Sequence, residues 1–307
     1  MKKNSLTRLH SALAVSMIGG CLFGAAVSST QAGTSAKAPA PVEEPAPESC
    51  LHGLIQLNFA DKYFTPRGLN VVNKGVTVQP LLLLFWDLYH SKSGFINDIT
   101  LTTGAWSDLA SSRSVGPKNT SHWNEFDAIG GLSVTFAERW KFSATYLLFD
   151  SIVGAYPSPS SIEGKLEFMD HDLLAPGFAI NPYVALWKEL EHKTTFARTP
   201  PGHYVTLGME PSYTFTGFPL TISLPSYIAF PNKNFYGVKK AVGIYSTGLK
   251  LSTPLSFIPK CYGKWSLYAG ETYYRSVNPA LIALGDFAAG KPEKNHWVTS
   301  GGITITF

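Results

Sequence analysis

Apolar and polar residues alternate with a period of two along most of the chain after residue 50. This period is that of a β-strand whose two faces meet different surroundings. The pattern predicts an all-β fold of about twelve antiparallel strands. The predicted strands cover approximately residues 53–64, 75–90, 93–107, 123–137, 139–151, 162–171, 178–190, 202–216, 219–230, 238–253, 263–275 and 295–307.

The last strand shows the alternation most clearly. Ile303, Ile305 and Phe307 share one face, and Gly302, Thr304 and Thr306 share the other. A soluble domain rarely ends on an exposed apolar strand, since such an edge invites aggregation. A closed barrel has no edge. The ending resembles the C-terminal signature of Gram-negative outer-membrane β-barrels, so we expect these three residues to form the barrel-assembly signal.

The beginning of the chain predicts export. Residues 1–32 combine basic residues, an apolar stretch and a small-x-small cleavage site at Ala32, as in a secretory signal peptide. An alternative is lipidation at Cys21, whose preceding residues loosely fit a lipoprotein cleavage box. Residues 33–50 are rich in Pro, Ala and Glu and predict a disordered periplasmic linker. Residues 51–307 then form one barrel domain.

Charge adds little once the signal peptide is removed. The formal net charge is +4, and residues 1–32 hold three basic and no acidic residues, so 22 basic residues face 21 acidic ones. Nothing in this balance favours a nucleic-acid partner, which would require clustered Lys and Arg. No other segment has the roughly 20 apolar residues of a membrane helix. A membrane protein without membrane helices must be a closed barrel, because lipid satisfies no backbone hydrogen bonds.

The connections between the predicted strands indicate the orientation. Long connections follow odd-numbered strands and mostly short ones follow even-numbered strands, which is the pattern of extracellular loops and periplasmic turns. We therefore expect the outer membrane of a Gram-negative bacterium, with both mature termini in the periplasm. The partners would be outer-membrane lipid and, during biogenesis, the barrel-assembly machinery. A secreted antiparallel sandwich is the alternative, because its strands alternate in the same way.

Charged residues lie on one face of several predicted strands. A charge facing lipid costs about 2–4 kcal/mol near the membrane centre, so the charged faces should line the lumen. Glu271 and Lys188 are exceptions, because each falls on an apolar face and requires a bulge or a position near the headgroups. The signs are mixed and predict no preference for cations or anions. The lumen-lining candidates are Glu125, Asp127, Lys141, Glu163, Lys165, Glu167, Glu210, Lys240 and Lys250.

Two cysteines, Cys50 and Cys261, remain after cleavage at Ala32. An even pair in an oxidising compartment is a candidate disulfide. Both cysteines belong to the predicted periplasmic end of the barrel, one before the first strand and one before the eleventh. The alternative is two unpaired thiols.

Motifs for catalysis or metal binding are weak. The sequence contains no Gly-rich phosphate loop, HExxH, CxxC or GxSxG motif. In the stretch 90–94, neither serine shares a strand face with His90, so a polar turn is favoured over a lipid-hydrolysing site. The stretch 170–172 is interpreted as a solvated turn rather than a cation site. Four histidines at the predicted rim are not expected to bind metal: His122, His192, His203 and His296. We therefore expect no cofactor, no metal and no enzymatic activity.

Two stretches resemble the TorF-like porin family. Residues 57–68, LNFADKYFTPRG, are similar to that family's first strand, which reaches an aromatic residue, an arginine and a glycine. Residues 254–265 resemble the late part of the family. The resemblance implies a small outer-membrane barrel that acts as a channel and has no catalytic residues. We expect this channel to pass small polar solutes, but the sequence does not identify the solute. The alternatives are a plugged structural or binding barrel, and an outer-membrane enzyme that acts on lipid.

Overall fold

The computed structural model describes residues 50–112, 122–152, 158–191, 200–286 and 290–307. The predicted signal peptide, nearly all of the predicted linker and His192 lie outside these residues. The described chain is almost entirely β-structure. Its strands are β1 (Leu51–Ala60), β2 (Tyr63–Phe64), β3 (Asn70–Val72), β4 (Thr77–His90), β5 (Ile96–Ala110), β6 (Trp123–Phe136), β7 (Trp140–Asp150), β8 (Ser160–Phe168), β9 (Phe178–Ala179), β10 (Tyr183–Glu189), β11 (His203–Met209), β12 (Ser212–Thr214), β13 (Thr221–Ser223), β14 (Ser226–Pro231), β15 (Ile244–Pro254), β16 (Lys264–Ser276) and β17 (Asn295–Thr306).

Two short helices, α1 (Lys233–Tyr236) and α2 (Pro279–Ala283), lie in connections, and a 3₁₀ turn covers Lys260–Tyr262. Among the described residues, no helix is long and apolar enough to cross a membrane.

Twelve strands form a closed antiparallel barrel, as the alternation predicted. Each pairs with its neighbour along the chain, β1 pairs with β17, and β14 pairs with both β11 and β15. The short strands β9, β12 and β13 extend the wall at one end and are not counted among the twelve. The strands β2 and β3 pair only with each other. We call the end of the barrel that holds Leu51 and Phe307 the terminal end, and the opposite end the loop end.

The barrel closes at its seam by regular pairing of β1 with β17, from Leu54 opposite Thr306 to Ala60 opposite Ser300. The pairing continues to the final residue. The backbone nitrogen of Phe307 donates to the carbonyl oxygen of Gly53 (3.1 Å), and the nitrogen of Gly53 donates to the oxygen of Phe307 (2.9 Å). The terminal alternation therefore corresponds to the strand that completes the ring.

The two faces of the wall differ as the sequence predicted. In β6, Phe126 and Leu132 are exposed on the outside, whereas Glu125 and Asp127 are buried inside. The outer surface carries many other exposed apolar side chains, since a barrel turns one face of every strand outward.

Glu271 and Lys188 also point outward. Both are exposed, and their strands β16 and β10 pair with their neighbours without any register shift. A bulge therefore does not explain either charge.

The first predicted strand is too long. β1 ends at Ala60, and residues 61–76 turn into the barrel instead of continuing the wall. Many of the buried apolar side chains gather around this segment at the loop end: Tyr63, Phe64, Leu69, Val72, Phe149, Trp187, Phe235, Tyr236, Ile244 and Leu281.

Other predicted strands also differ from the structure. Those predicted over 202–216 and 219–230 are each divided, the first between β11 and β12 and the second between β13 and β14. The strand predicted over 178–190 is interrupted between β9 and β10, where Asn181 has a φ of 49°. The strand predicted from residue 238 begins only at Ile244, because α1 and the residues after it occupy the start of that segment. Lys240 consequently lies exposed in this connection, outside the barrel wall, and the prediction that it lines the lumen is wrong.

Candidate functional site

Residues 61–76 form a hairpin inside the loop end of the barrel, which we call the inner hairpin. Its tip is a tight turn. The nitrogen of Thr65 donates to the oxygen of Leu69 (2.8 Å), and the nitrogen of Gly68 donates to the oxygen of Thr65 (2.8 Å). Gly68 has a φ of 100°, a conformation that favours glycine. The turn places the side chain of Arg67 at the tip.

Arg67 is buried, with 1% of its surface exposed. Its guanidinium carbon lies 4.5 Å from the centre of the Trp187 ring on β10 and 5.3 Å from the centre of the Phe149 ring on β7. These two strands flank β8, so the guanidinium reaches across one strand of the wall. None of its three nitrogens has a hydrogen-bond partner among the described residues. The cation is therefore held by aromatic faces, an attraction that strengthens away from water.

The carboxyl groups of Glu125 and Asp127 are buried near this cation, and that of Asp108 is buried beside Glu125 on the next strand. Asp108 on β5 accepts hydrogen bonds from the Thr77 hydroxyl (2.7 Å) and from Asn124 Nδ2 (2.9 Å). Glu125 and Asp127 are each only 2% exposed. Because Asp127 pairs across the strands with Phe149, its side chain neighbours the ring on which Arg67 lies.

The opposite charges do not form a direct ion pair. Glu125 Oε1 and Asp127 Oδ1 have no hydrogen-bond partner among the described residues, and neither do the Arg67 nitrogens. Buried charges are costly unless they are paired and hydrogen-bonded. The wall and the hairpin tip therefore hold charges that attract one another but are incompletely satisfied.

The hairpin tip is also contacted by hydroxyl groups from β14, which is separated from β10 by β11 alone, and from α1 after it. Tyr227 on β14 donates to the carbonyl oxygen of Pro66 (2.7 Å), and Tyr236 on α1 donates to that of Arg67 (2.8 Å). Both bonds reach the hairpin tip. The tip is therefore held on one side of the barrel, by the strands from β7 to β14 and by α1.

Further along the hairpin, Phe64 packs against Tyr274 and His296, with ring centres 4.4 Å apart in each case. Asn73 Nδ2 donates to the carboxylate of Asp286 (3.0 and 3.1 Å) in the connection between β16 and β17. In the same connection, burial, and to a smaller degree the charge of Asp286, raises the pKa of Glu293. These contacts span the interior, so the hairpin narrows the lumen at the loop end.

The rest of the inner wall is polar rather than filled by apolar side chains. On β8, Lys165 Nζ lies 2.9 Å from Glu167 Oε2 and 4.4 Å from the centre of the Tyr183 ring. Lys250 Nζ lies 5.0 Å from the centre of the Tyr268 ring. The Tyr268 hydroxyl donates to Asn58 Oδ1 (2.7 Å). These side chains are mostly half-buried, which distinguishes this part of the lumen from the packed loop end.

The predicted lumen residues divide into two groups. Glu125 and Asp127 lie at the loop end beside Arg67. Glu163 lies at the level of the hairpin tip, since it pairs across the strands with Trp187. Five others face the interior further toward the terminal end: Lys141, Lys165, Glu167, Glu210 and Lys250. Their role in lining a path for solute stays a prediction.

Sequence reasoning missed Arg67. A signal was present, because residues 61–76 contain Tyr63, Phe64, Leu69 and Val71, which is unusually apolar for a loop in water.

The other candidate positions are structural. Asp170 Oδ1 accepts from the nitrogens of Ile180 and Asn181 (2.8 Å each), and Asp172 Oδ1 accepts from that of Gly177 (2.6 Å). These carboxylates therefore shape a turn. In the described part of the chain, no three His, Cys, Asp or Glu residues are grouped to hold a metal ion. Cys50 and Cys261 are exposed and not bonded to each other. The disulfide stays a prediction.

Three solved structures resemble this barrel loosely. An outer membrane channel from Pseudomonas putida F1 is 12% identical, covers 88% of this chain and 100% of its own, and has a TM-score of 0.43. Outer membrane phospholipase A from Escherichia coli is 12% identical, covers 82% and 92%, and has a TM-score of 0.44. The outer membrane channel DcaP of Acinetobacter baumannii is 8% identical, covers 84% and 96%, and has a TM-score of 0.39.

No family model and no curated protein matches the sequence, so membership of the TorF-like family stays a prediction. The prediction that this chain is not an enzyme is corrected at this point. A phospholipase is among the outer-membrane barrels that resemble it, so the barrel itself does not decide between a channel and an enzyme.

Proposed function

We propose that this protein is an outer-membrane channel through which small polar solutes pass. The observation that carries the proposal is the inner wall between the inner hairpin and the terminal end. There the side chains facing the interior are charged or polar and only partly buried. A barrel built only for stability would fill this space with apolar side chains, as the loop end does.

The outer surface supports the membrane location. Apolar side chains such as Leu132, Ile162, Leu186 and Leu207 are exposed around the ring. Such a belt is stable against lipid and would aggregate in water. The outer-membrane lipid and the assembly machinery are the proposed partners, with the terminal end in the periplasm.

The proposed path is narrow and electrically balanced. The inner hairpin occupies the loop end, and a barrel of twelve strands is smaller than the 16–18-stranded porins. Three lysines and three glutamates face the lumen at the level of the hairpin tip or beyond it, so the wall itself favours neither sign of charge. Small polar solutes without a large net charge fit this wall best. The six residues are Lys141, Lys165, Lys250, Glu163, Glu167 and Glu210.

Single-channel recording in planar bilayers tests the proposal. The purified barrel, with its fold checked by heat-modifiable migration on gels, should give discrete current steps. A variant in which residues 61–76 are replaced by a short Gly–Ser connection should give larger steps, because the obstruction at the loop end is removed. Absence of current steps from both proteins, when both are folded, would mean a barrel without conductance and would overturn the proposal.

A further inference from the structure

We infer that the inner hairpin is a movable gate, closed when Arg67 lies on Trp187 and Phe149 and open when the tip leaves that position. The inference rests on the proposed channel function and adds to it how passage is controlled. It starts from the position of the hairpin, which crosses the interior from its root after β1, where Phe64 packs on Tyr274 and His296. Its tip reaches Trp187, Tyr227 and Tyr236 on the far side of the ring.

Some interactions stabilise the closed position of the hairpin, and others oppose it. Aromatic contacts and two tyrosine hydroxyls hold the tip. Against them, closure buries the guanidinium of Arg67 and leaves its nitrogens without hydrogen-bond partners among the described residues. Withdrawal of the tip would return Arg67 to water and expose Glu125 and Asp127 to the lumen. Hydration of these groups offsets part of the lost contacts, including the burial of Phe64, Leu69 and Val72, so the open position is the minor state.

The barrel can remain intact while the hairpin moves. The strands β2 and β3 form a separate two-stranded sheet and share no ladder with the twelve strands of the wall. Within the hairpin, Gly68 and Gly75 have φ values of 100° and 83°. Movement of the tip would therefore break side-chain contacts and isolated hydrogen bonds, but no strand pairing that closes the barrel.

The first test removes the hydroxyls that hold the tip. Tyr227→Phe and Tyr236→Phe each delete one hydrogen bond to a hairpin carbonyl oxygen and leave the lumen charges unchanged. In single-channel recordings, each change should raise the ratio of open to closed time by about fivefold, the worth of one hydrogen bond. The size of each current step should stay the same, because the open path is unaltered.

The matched control is Tyr273→Phe. The Tyr273 hydroxyl donates to Asn295 Oδ1 (2.8 Å), and Asn295 belongs to β17 and not to the inner hairpin. This variant loses the same chemical group, and its open time should equal that of the unchanged protein.

The second test locks the hairpin. Asn73 in the hairpin and Asp286 in the connection between β16 and β17 are joined by side-chain hydrogen bonds of 3.0 and 3.1 Å. The double variant Asn73→Cys and Asp286→Cys therefore places one thiol on each of these two segments. Cys50 and Cys261 are changed to Ser in this variant. Oxidation to the disulfide, verified by gel shift, should reduce the open time at least tenfold, and a reductant should restore it.

The outcomes separate the two proposals. Current steps whose open time is unchanged by both tyrosine changes and by the disulfide would overturn the gate and leave the channel standing. Steps only from the variant that lacks residues 61–76 would show a fixed plug, which would overturn both the gate and passage through the unchanged protein. Absence of steps from every folded variant, including the one lacking the hairpin, would overturn the channel and the gate together.

Discussion

The guanidinium carbon of Arg67 lies 4.5 Å from the centre of the Trp187 ring, and both side chains are buried inside the barrel. This contact joins the tip of the inner hairpin to the barrel wall. Without it, the tip would keep the longer contact of Arg67 with Phe149 and the hydrogen bonds from Tyr227 and Tyr236. The contact is therefore the first place at which the structure can be tested.

Replacement of Arg67 or of Trp187 should lower the free energy of unfolding. The loss in the double variant should be smaller than the sum of the two single losses, because both changes remove the same contact. A desolvated cation–π contact is worth about 2 kcal/mol. We expect a double-mutant cycle of Arg67→Met and Trp187→Leu to give a coupling energy of about 1–2 kcal/mol in the free energy of unfolding, measured with urea in detergent or lipid. Met retains much of the length of the Arg side chain, so the cycle mainly removes the charge.

The control cycle combines Arg67→Met with Trp297→Leu. Trp297 is 53% exposed on the outer face of β17 and packs on Tyr273. Its coupling to Arg67 should be close to zero. Equal couplings in the two cycles would contradict the assigned contact, since a nonspecific effect on the barrel would then explain both.

The two faces of β8 predict opposite chemical accessibility. Lys165 faces the lumen, and Ile162, 39% exposed, faces outward on the same strand. In folded protein in lipid vesicles, with Cys50 and Cys261 changed to Ser, Lys165→Cys should react with a small water-soluble thiol reagent. Ile162→Cys should react only with a lipid-soluble one. Rapid labelling of Ile162→Cys from water and not of Lys165→Cys would reverse the assigned faces.

The balance of lumen charges gives a prediction about ions. Lys165→Glu changes three lysines against three glutamates into two against four along the lumen at the level of the hairpin tip or beyond it. The reversal potential in a salt gradient should shift toward cation selectivity, because Lys165 is the partner of Glu167 at 2.9 Å and its loss frees a second carboxylate. Lys240→Glu is the control, since Lys240 lies outside the wall and its change should shift the potential much less.

The twelve strands were accessible from sequence because each strand alternates between lipid and lumen, and this alternation is local. The same physics assigned Glu125, Asp127 and Lys165 to the inner face. Inward folding of residues 61–76 has no such local signature. It depends on contacts far along the chain, such as Tyr227 with Pro66 and Tyr236 with Arg67.

Lys240 was misplaced for a related reason. Residues 238–243 have enough apolar character to extend a strand pattern, but α1 and its C-terminal Gly237, with a φ of 74°, direct the chain away from the wall until Ile244. Boundaries set by a turn are harder to read than faces set by a repeated period.

The seam predicts the effect of shortening the chain. Deletion of Phe307 removes both backbone hydrogen bonds between Phe307 and Gly53, and with them the last pairing of β17 with β1. We expect less heat-modifiable barrel in the outer membrane, with export across the inner membrane unchanged. Phe257→Ala is the control, since Phe257 is an aromatic residue 81% exposed in the turn after β15 and outside the seam. Equal amounts of folded barrel with and without Phe307 would contradict the prediction.

The last prediction concerns Cys50 and Cys261, both exposed at the terminal end. Cys50 precedes β1, and Cys261 lies in the turn before β16, with β17 between these strands. Two strand spacings separate the strand ends by about 10 Å, and a disulfide requires Cα atoms within about 7 Å. The residues before β1 and the turn at Lys260–Tyr262 therefore have to bring the two Cα atoms closer together than the strand ends are.

In an oxidising compartment we therefore expect a disulfide across the barrel seam. Denatured, unreduced mature protein should contain no free thiol and should run as a monomer. The variants Cys50→Ser and Cys261→Ser should each show one free thiol or form a linked dimer. The bridge would enclose nearly the whole barrel, so it restricts the unfolded chain. The oxidised protein should therefore unfold at a higher urea concentration than the reduced protein, and its free energy of unfolding should be larger by a few kcal/mol. Two free thiols in monomeric protein purified without reductant would rule the bridge out.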